Sequence, residues 1–377
     1  MIQYGRRIAV VIKSVDLKNY RNYNELNIEF DNNVNIIYGD NAQGKTNILE
    51  SLYVCATSKS HRGGKDKDIL QYNSEEAHIK VHVLKHDMNY RIDMHLKKNK
   101  AKGIAVNGIP IKKAVDLFGI MNIIFFSPED LNIIKNGPSE RRKFMDMELC
   151  QLDKIYLSNL INYNKVVIQR NKLLKELTTM NKDMLDTLDI WDMQLVNYGK
   201  EIIKTRIEFV KKINQLIKNI HYKLTGNIES IDVIYQPFTT IENFEKAVLK
   251  SRDKDIKYKC TNVGPHKDDC MFLVNNKDVK IYGSQGQKRT AALSLKLSEI
   301  ELVKNIIHDT PILLLDDVLS ELDSKRQNFL LDSIGDIQTI VTCTGLDEFI
   351  SSRLSVNKIF KVINGSISNH LLEGRRQ

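Results

Sequence analysis

Apolar and polar positions along this chain follow two rhythms, and the points where one gives way to the other mark out its elements. Ile8–Leu17 is rich in β-branched residues and predicts a strand; Asn27-Ile28-Glu29-Phe30 alternates as a half-buried strand does. The polar-aromatic turn Asn19-Tyr20-Arg21-Asn22-Tyr23 lies between them, and Asp31-Asn32-Asn33 turns the chain into a third strand, Val34–Tyr38. Beyond it Ile48, Leu49, Leu52, Tyr53 and Ala56 recur at helical spacing. From Ala77 to Ile111 alternation returns, with Ile79, Val81 and Val83 and then Ile92, Met94 and Leu96, and predicts hairpin strands. Ile120–Phe126 is an apolar run, interrupted only by Asn122, that predicts a buried strand. Ser127-Pro128-Glu129-Asp130 then carries the features of a helix start, with Ser127 as the cap.

From Arg141 to Leu224 the rhythm is helical almost throughout. One segment reaches about Leu177, a second starts near Met184, and Thr178–Asp183 forms a polar join. The heptads are imperfect, so an antiparallel coiled-coil hairpin and a compact helical subdomain both fit. Thr225–Asp255 is mixed, Met271–Val274 predicts a strand, and Thr290–Ile307 a helix. Ile312–Leu315 predicts a further buried strand, and Ile337–Val341 another strand. The chain thus divides into an N-terminal part (1–135), a helical insertion (136–255) and a C-terminal part (256–377).

Chemistry concentrates where these rhythms change. Gly39-Asp40-Asn41-Ala42-Gln43-Gly44-Lys45-Thr46 joins the third strand to the first helix and matches G-x-x-x-x-G-K-[ST]. Glycines let such a loop turn its N–H groups inward around phosphates; Lys45 supplies an ammonium for the β- and γ-phosphates, and Thr46 a hydroxyl for Mg²⁺. ATP and Mg²⁺ are therefore the expected cofactors. Two strands before such a loop suggest an antiparallel layer beside the nucleotide. Arg21 and Asn22, on the turn between them, either reach the phosphates or cap a hairpin.

The apolar run Ile312–Leu315 ends in Asp316-Asp317, a Walker B pattern. Asp316 would hold Mg²⁺ opposite Thr46, and Asp317 would orient or polarise an attacking water. Ser284-Gln285-Gly286-Gln287 opens a helix, a second place where backbone donors gather. His266, with Asp268 and Asp269 nearby, is either a metal ligand or part of a hydrogen-bonded loop.

Composition adds a charge preference. Lys and Arg outnumber Asp and Glu by 56 to 47, a net charge of +9. That excess favours an anionic partner. For DNA the candidates are Arg62 in a basic loop, the Lys97, Lys98, Lys100 and Lys102 cluster, and Arg141 and Arg142. A solvated loop or hairpin tip is the competing explanation for the first two groups. The five cysteines are scattered without a C-x-x-C, so neither a zinc knuckle nor a disulfide framework is indicated. No apolar run approaches the roughly 18 residues of a membrane span, and Met1–Arg7 lacks an apolar signal core. A cytoplasmic protein with no membrane association is expected.

The Ser284-to-Gln287 turn resembles the signature of ABC-type ATPases, and Ser320-Glu321-Leu322-Asp323 their D-loop. The order of motifs resembles the SMC/Rad50 branch, without its long coiled coil. Among shorter relatives the chain is similar to the RecF family. That similarity is carried by Phe30 with Gly39–Glu50, Ser60-His61-Arg62, Ser127–Leu131, Gly137-Pro138 with Arg141, Arg142 and Asp146, Gly264–Asp269, Ser284–Gln287 and Asp316–Asp323. It implies an α/β fold: an ABC-type, Rad50-like P-loop ATPase head with a mixed sheet, interrupted by an α-helical insertion. It implies ATP at Gly39–Thr46, at the adjoining Asn47 and across a homodimer, where Ser284, Gly286 and Gln287 of one copy meet the phosphates held by the other. Action on gapped, single- or double-stranded DNA in repair and replication follows, with slow hydrolysis, and with RecO and RecR loading a recombinase. Three departures accompany the match. Aspartate stands at 317 where many ABC-type ATPases carry glutamate, and Thr342-Cys343-Thr344 offers no switch histidine. No Q-loop glutamine follows Phe125-Phe126 either. The alternatives are a transporter's ATPase subunit, whose motifs would lie closer together, and an ATP-gated DNA clamp that does not hydrolyse.

Overall fold

The computed structural model describes residues 10–177, 182–345 and 356–370. The chain opens with β1 (Val11–Tyr20), β2 (Tyr23–Glu29), β3 (Val34–Tyr38), α1 (Lys45–Thr57), β4 (Glu76–Lys85), β5 (Met88–Lys97), β6 (Gly103–Val106), β7 (Ile109–Pro110) and β8 (Ile123–Phe126). A helical stretch follows: α2 (Leu131–Lys135), α3 (Pro138–Leu152), α4 (Lys154–Glu176) and α5 (Lys182–Leu224). After it come β9 (Ile231–Gln236), α6 (Phe244–Tyr258), β10 (Asp269–Val274), β11 (Lys277–Asp278), α7 (Val279–Tyr282) and α8 (Gln285–Ile307). The chain closes with β12 (Ile312–Asp316), α9 (Ser324–Ile334), β13 (Thr339–Cys343), β14 (Val356–Ile363) and β15 (Ser366–His370).

Two compact units result: one runs to Asp130 and resumes at Glu299, the other is Leu131–Ser298. The boundary expected at 135/136 lies at 130/131, and the one expected at 255/256 shifts because β10 pairs antiparallel with β9 across it. Residues 256–298 therefore belong with the helices that precede them.

The first unit holds two six-stranded sheets. One is antiparallel, in the order β2-β1-β4-β5-β6-β7; the other has the order β15-β14-β3-β13-β12-β8. In the second, β14, β3, β13, β12 and β8 run parallel and β15 is an antiparallel edge, so the sheet is mixed. Every residue of β8, β12 and β13 is buried, as strands covered on both faces require. The helix α1 packs against β4 and against the central strands. It is buried almost all round, which explains why Glu50 and Ser51 are as inaccessible as Ile48 and Leu52. Gln338 ties the two sheets together. Its Oε1 accepts from the Ile12 N–H at 2.7 Å, and its amide donates to the carbonyls of Ile12 and Asp31, each at 2.8 Å. These bonds fall where β1 slips register, so a side chain serves backbone groups that the ladder leaves open.

In the second unit α4 and α5 run antiparallel, and α5 also packs against α6 and β9; this is a compact helical subdomain rather than an isolated coiled coil. The predicted helix from Arg141 to Leu177 breaks at Asp153, whose carboxylate caps α4 by accepting the N–H of Ile155 at 2.7 Å and of Tyr156 at 3.1 Å. Buried arginines weld these elements together. Arg170 donates to Asp192, Asp255 and Thr261. Arg206 donates to Tyr156, to the Pro265 carbonyl and to Asp146. Each side chain is at most 2% exposed, so removing a partner would leave an uncompensated buried charge. Of the polar join, residues 178–181 lie outside the described ones, as do the first residues of the predicted strand Ile8–Leu17.

Gln338→Ala should destabilise the protein by about 3 kcal/mol in urea denaturation, because it orphans buried groups on β1 without opening a large cavity. An unchanged midpoint would show that water replaces the carboxamide.

Candidate functional site

The sheet register delivers the loop and the acids to one edge. β3 and β12 both flank β13, so the chain leaving β3 at Tyr38 and the chain leaving β12 at Asp316 emerge at the same ends of parallel neighbours. Ligands of open α/β sheets gather at that carboxyl edge. The loop's last glycine, Gly44, caps α1 at φ 112°, and a Cβ there would lie 2.4 Å from the Asn22 amide nitrogen. Only glycine fits both the conformation and the approach. Lys45 is buried, and its ammonium donates to the carbonyls of Gly39 at 2.7 Å and Asp40 at 3.1 Å. A cation laid across the loop beside the unpaired N–H groups of a helix start makes an anion cradle.

A chain of polar side chains holds that loop. Asn22 donates to the Gln43 carbonyl at 2.9 Å, Asn47 donates to the Asn22 Oδ1 at 2.8 Å, and Arg62 donates to the Asn47 Oδ1 at 3.1 Å. On the other side, Gln43 Oε1 accepts the Asn364 N–H at 2.5 Å, so the β14–β15 turn braces the loop as well. Asp40 and Asn41 are exposed, and Ala42 adopts φ 65°.

The acids are set with equal care. Asp316 Oδ1 accepts from the hydroxyls of Thr46 and Thr342, each at 2.8 Å. Burial raises the Asp316 carboxyl above the ordinary aspartate range; the two hydroxyls and Arg62 pull against that rise, while Asp317 adds to it. Asp317 sits at φ 51°, in the left-handed region that non-glycine residues seldom enter. Its N–H is held by Thr342, with Oγ1 at 3.0 Å and the carbonyl at 3.3 Å. One carboxylate oxygen, Oδ1, is buried with no hydrogen-bond partner. An unsatisfied acceptor in a strained residue is a place for a donor that arrives with the ligand. The donor set, one hydroxyl and one carboxylate, suits a hard divalent cation such as Mg²⁺, and Thr46 and Asp316 would hold it.

Other candidates fall elsewhere. Arg21 is not free to reach a phosphate: Nε and Nη2 clasp Glu50 at 2.8 and 2.6 Å, and Nη1 donates to the Asp68 carbonyl. Burial works to raise the Glu50 carboxyl, yet the bonds from Arg21 and Ser60 and the charge of Arg21 hold it below its usual range. Ser284 and Gln287 form a reciprocal capping box at the start of α8: the Gln287 N–H donates to Ser284 Oγ at 3.2 Å and the Ser284 N–H to Gln287 Oε1 at 2.9 Å. Gln287 Nε2 is bound to Glu229, whereas Ser284 and Gly286 are exposed at the helix start. His266 is no metal ligand. Nδ1 lies 2.7 Å from the Tyr163 hydroxyl and Nε2 3.0 Å from the Thr261 carbonyl, and burial pushes its pKa down to about 4.

Of the DNA candidates, Arg141 is buried, forked onto Asp269 at 2.6 and 3.0 Å and bonded to two carbonyls. It is a strut and presents no charge to DNA. Arg142 donates to the Asp268 carbonyl. Lys97 pairs with Glu76, Lys98 with Glu75 and Lys102 with Asp66, which leaves Lys100 as an exposed lysine of that cluster. Arg62 reaches toward the nucleotide loop.

Thr342 is the functional residue that sequence reasoning missed. It stands where many ABC-type ATPases have a histidine, and its hydroxyl donates to one acid and accepts from the backbone of the next. Its signal was a small hydroxyl residue at the end of a strand adjoining the acidic one.

The match to known proteins follows the same outline. Residues 11–367 fit the model of the RecF/RecN/SMC N-terminal domain. The chain is 69% identical over 361 residues to the DNA replication and repair protein RecF of Lachnospira eligens, covering 96% of this chain and 99% of that one. The solved structure of the recombination mediator protein RecF with ATP, of the RecFOR pathway, is 34% identical and superposes with a TM-score of 0.91 over 98% of this chain and all 100% of that one. An Smc head domain from Pyrococcus furiosus, 16% identical with a TM-score of 0.56 over 97% of each chain, shares the fold. Among the described residues no helix is long and apolar enough to cross a membrane.

Because Asp316 has a raised pKa, the folded state holds its proton to higher pH than the unfolded chain. Between the ordinary aspartate value and the raised one, stability therefore falls as pH rises, and the loss persists above that window. Asp316→Asn should accordingly melt higher than wild type at neutral pH without nucleotide, and gain less than wild type when Mg²⁺ and ATP are added. Equal melting temperatures without nucleotide would refute the charge argument.

Proposed function

Since the chain belongs to the RecF family of DNA replication and repair proteins, we propose that it is an ATP-dependent DNA-binding protein of recombinational repair and replication, a switch that closes as a homodimer when ATP binds. The observation that carries this is the Thr46–Asp316–Thr342 group, with Asp317 and its unsatisfied oxygen beside it.

In this reading Lys45 leaves the Gly39 and Asp40 carbonyls for the β- and γ-phosphates, and the backbone from Gly39 to Thr46, with Asn47, surrounds the triphosphate. Mg²⁺ held by Thr46 and Asp316 would neutralise charge on the β- and γ-oxygens. Asp317 orients the attacking water and takes its proton. Arg62, reaching the loop through Asn47, adds positive charge at the phosphates. Ser284 and Gly286 of a second copy cap the γ-phosphate from the exposed start of α8. Only the triphosphate then makes contacts to both copies, which is the differential affinity that coupling requires.

Hydrolysis is slow in this scheme for two reasons. Aspartate reaches one methylene less far than glutamate, and Thr342, already bonded to Asp316 and to the Asp317 N–H, carries no exchangeable imidazole proton. Closing brings together two basic surfaces, on which gapped, single- or double-stranded DNA binds, and hydrolysis releases it. RecR and RecO are the partners we assign from the RecFOR pathway of the solved relative, with the cytoplasm as the site of action.

Sedimentation should show monomers without nucleotide and dimers with ATP, and Lys45→Ala should abolish both ATP binding and dimerisation. Asp317→Asn should keep the dimer while phosphate release falls about 10²–10⁴-fold, the usual contribution of a general base. Unchanged release would favour a clamp that does not hydrolyse. DNA affinity should fall steeply with salt; a flat response would argue against phosphate-backbone binding.

A further inference from the structure

The outer face of the antiparallel sheet carries a cluster that the nucleotide site does not use. Strand alternation puts Glu76 and His78 of β4, and His95 and Lys97 of β5, on that face, above the buried Ala77, Ile79, Met94 and Leu96. The pairing register sets His78 directly opposite His95. The same cross-strand row continues to Lys18 on one side and Gly103 on the other. The two imidazoles stack with centroids 4.1 Å apart and planes 19° from parallel. Both aim Nε2 at one carboxylate: His95 lies 3.0 Å from Glu76 Oε2, and His78 lies 3.8 Å from Oε1. One donor atom from each of the three residues can be chosen so that all lie within 4.8 Å of one another. Gly103 brings no side chain to the row, and a groove of about 850 Å³, open to solvent, runs over the pair.

We propose that Glu76, His78 and His95 form a binding site for a divalent transition-metal ion of the zinc class, with one coordination position open to the groove. Two imidazoles and a carboxylate are a donor set that zinc accepts with a fourth position left for water or another ligand. Opposed strands hold the two rings in place before any ion arrives, so little side-chain freedom is lost on binding. Lys97, 3.1 Å from Glu76 Oε2, is the group an ion must displace.

That competition gives a test in which binding should improve as well as fail. Zinc chloride titrated into the nucleotide-free full-length chain, followed by calorimetry and equilibrium dialysis, should reveal one saturable site per chain. His78→Gln combined with His95→Gln should abolish it. Glu76→Gln should weaken it by at least about tenfold, the lower bound for groups that merely support a ligand. Lys97→Met should tighten it, and circular dichroism should show each variant folded. No saturable site in wild type, or one that survives the double histidine substitution with unchanged affinity, would overturn the proposal.

Discussion

A carboxylate kept largely out of water at the end of a parallel strand is the constraint on which the rest of this structure turns. Asp316 can remain there because two hydroxyls, from the start of α1 and from the end of β13, meet one of its oxygens. Thr46 and Asp316 are 270 positions apart in the chain. Only the strand order β3-β13-β12 makes them neighbours. Burial raises the Asp316 carboxyl, so the arrangement costs stability once that acid is ionised, as expected of a site kept for binding rather than for folding.

Around that point the chain builds rigidity from polar contacts. Asn22, Asn47 and Arg62 form a relay along one side of the phosphate loop, and Asn364 braces the other. Arg21 and Glu50 lock the β1–β2 turn onto the buried helix α1. In the helical unit, Arg141, Arg170 and Arg206 do the same for their own neighbours. Arginine suits this work because its planar fork satisfies several acceptors at once and keeps its charge when buried. The net positive charge of the chain is therefore a poor guide to where an anionic partner would sit, since several of its cations are spent inside.

Much of the nucleotide loop was legible in advance, because Gly39–Thr46 is a contiguous motif in which each residue type has a local reason. The continuous apolar run before Asp316 was legible for a similar reason, since a strand buried on both faces is largely apolar throughout. The break at Asp153 was not, because a capping aspartate within a helical pattern looks like any solvated acid. Nor was the fate of Arg21 or Arg141. An arginine that clasps a carboxylate 29 or 128 residues away carries the same letter as one that faces a phosphate.

By itself the sequence determined the kinds of element and the local chemistry: which runs are strands, where helices start, and that a phosphate cradle and an acidic strand end exist. These follow from periodicity and backbone geometry, which act over a few residues. The tertiary structure alone decided which hydroxyl meets which acid, which arginines are struts, that Thr342 orders both aspartates, and that two histidines face one glutamate across β4 and β5. Those outcomes depend on strand order and cross-strand register. Both are set by how distant segments share buried surface, and no local run of residues contains that information.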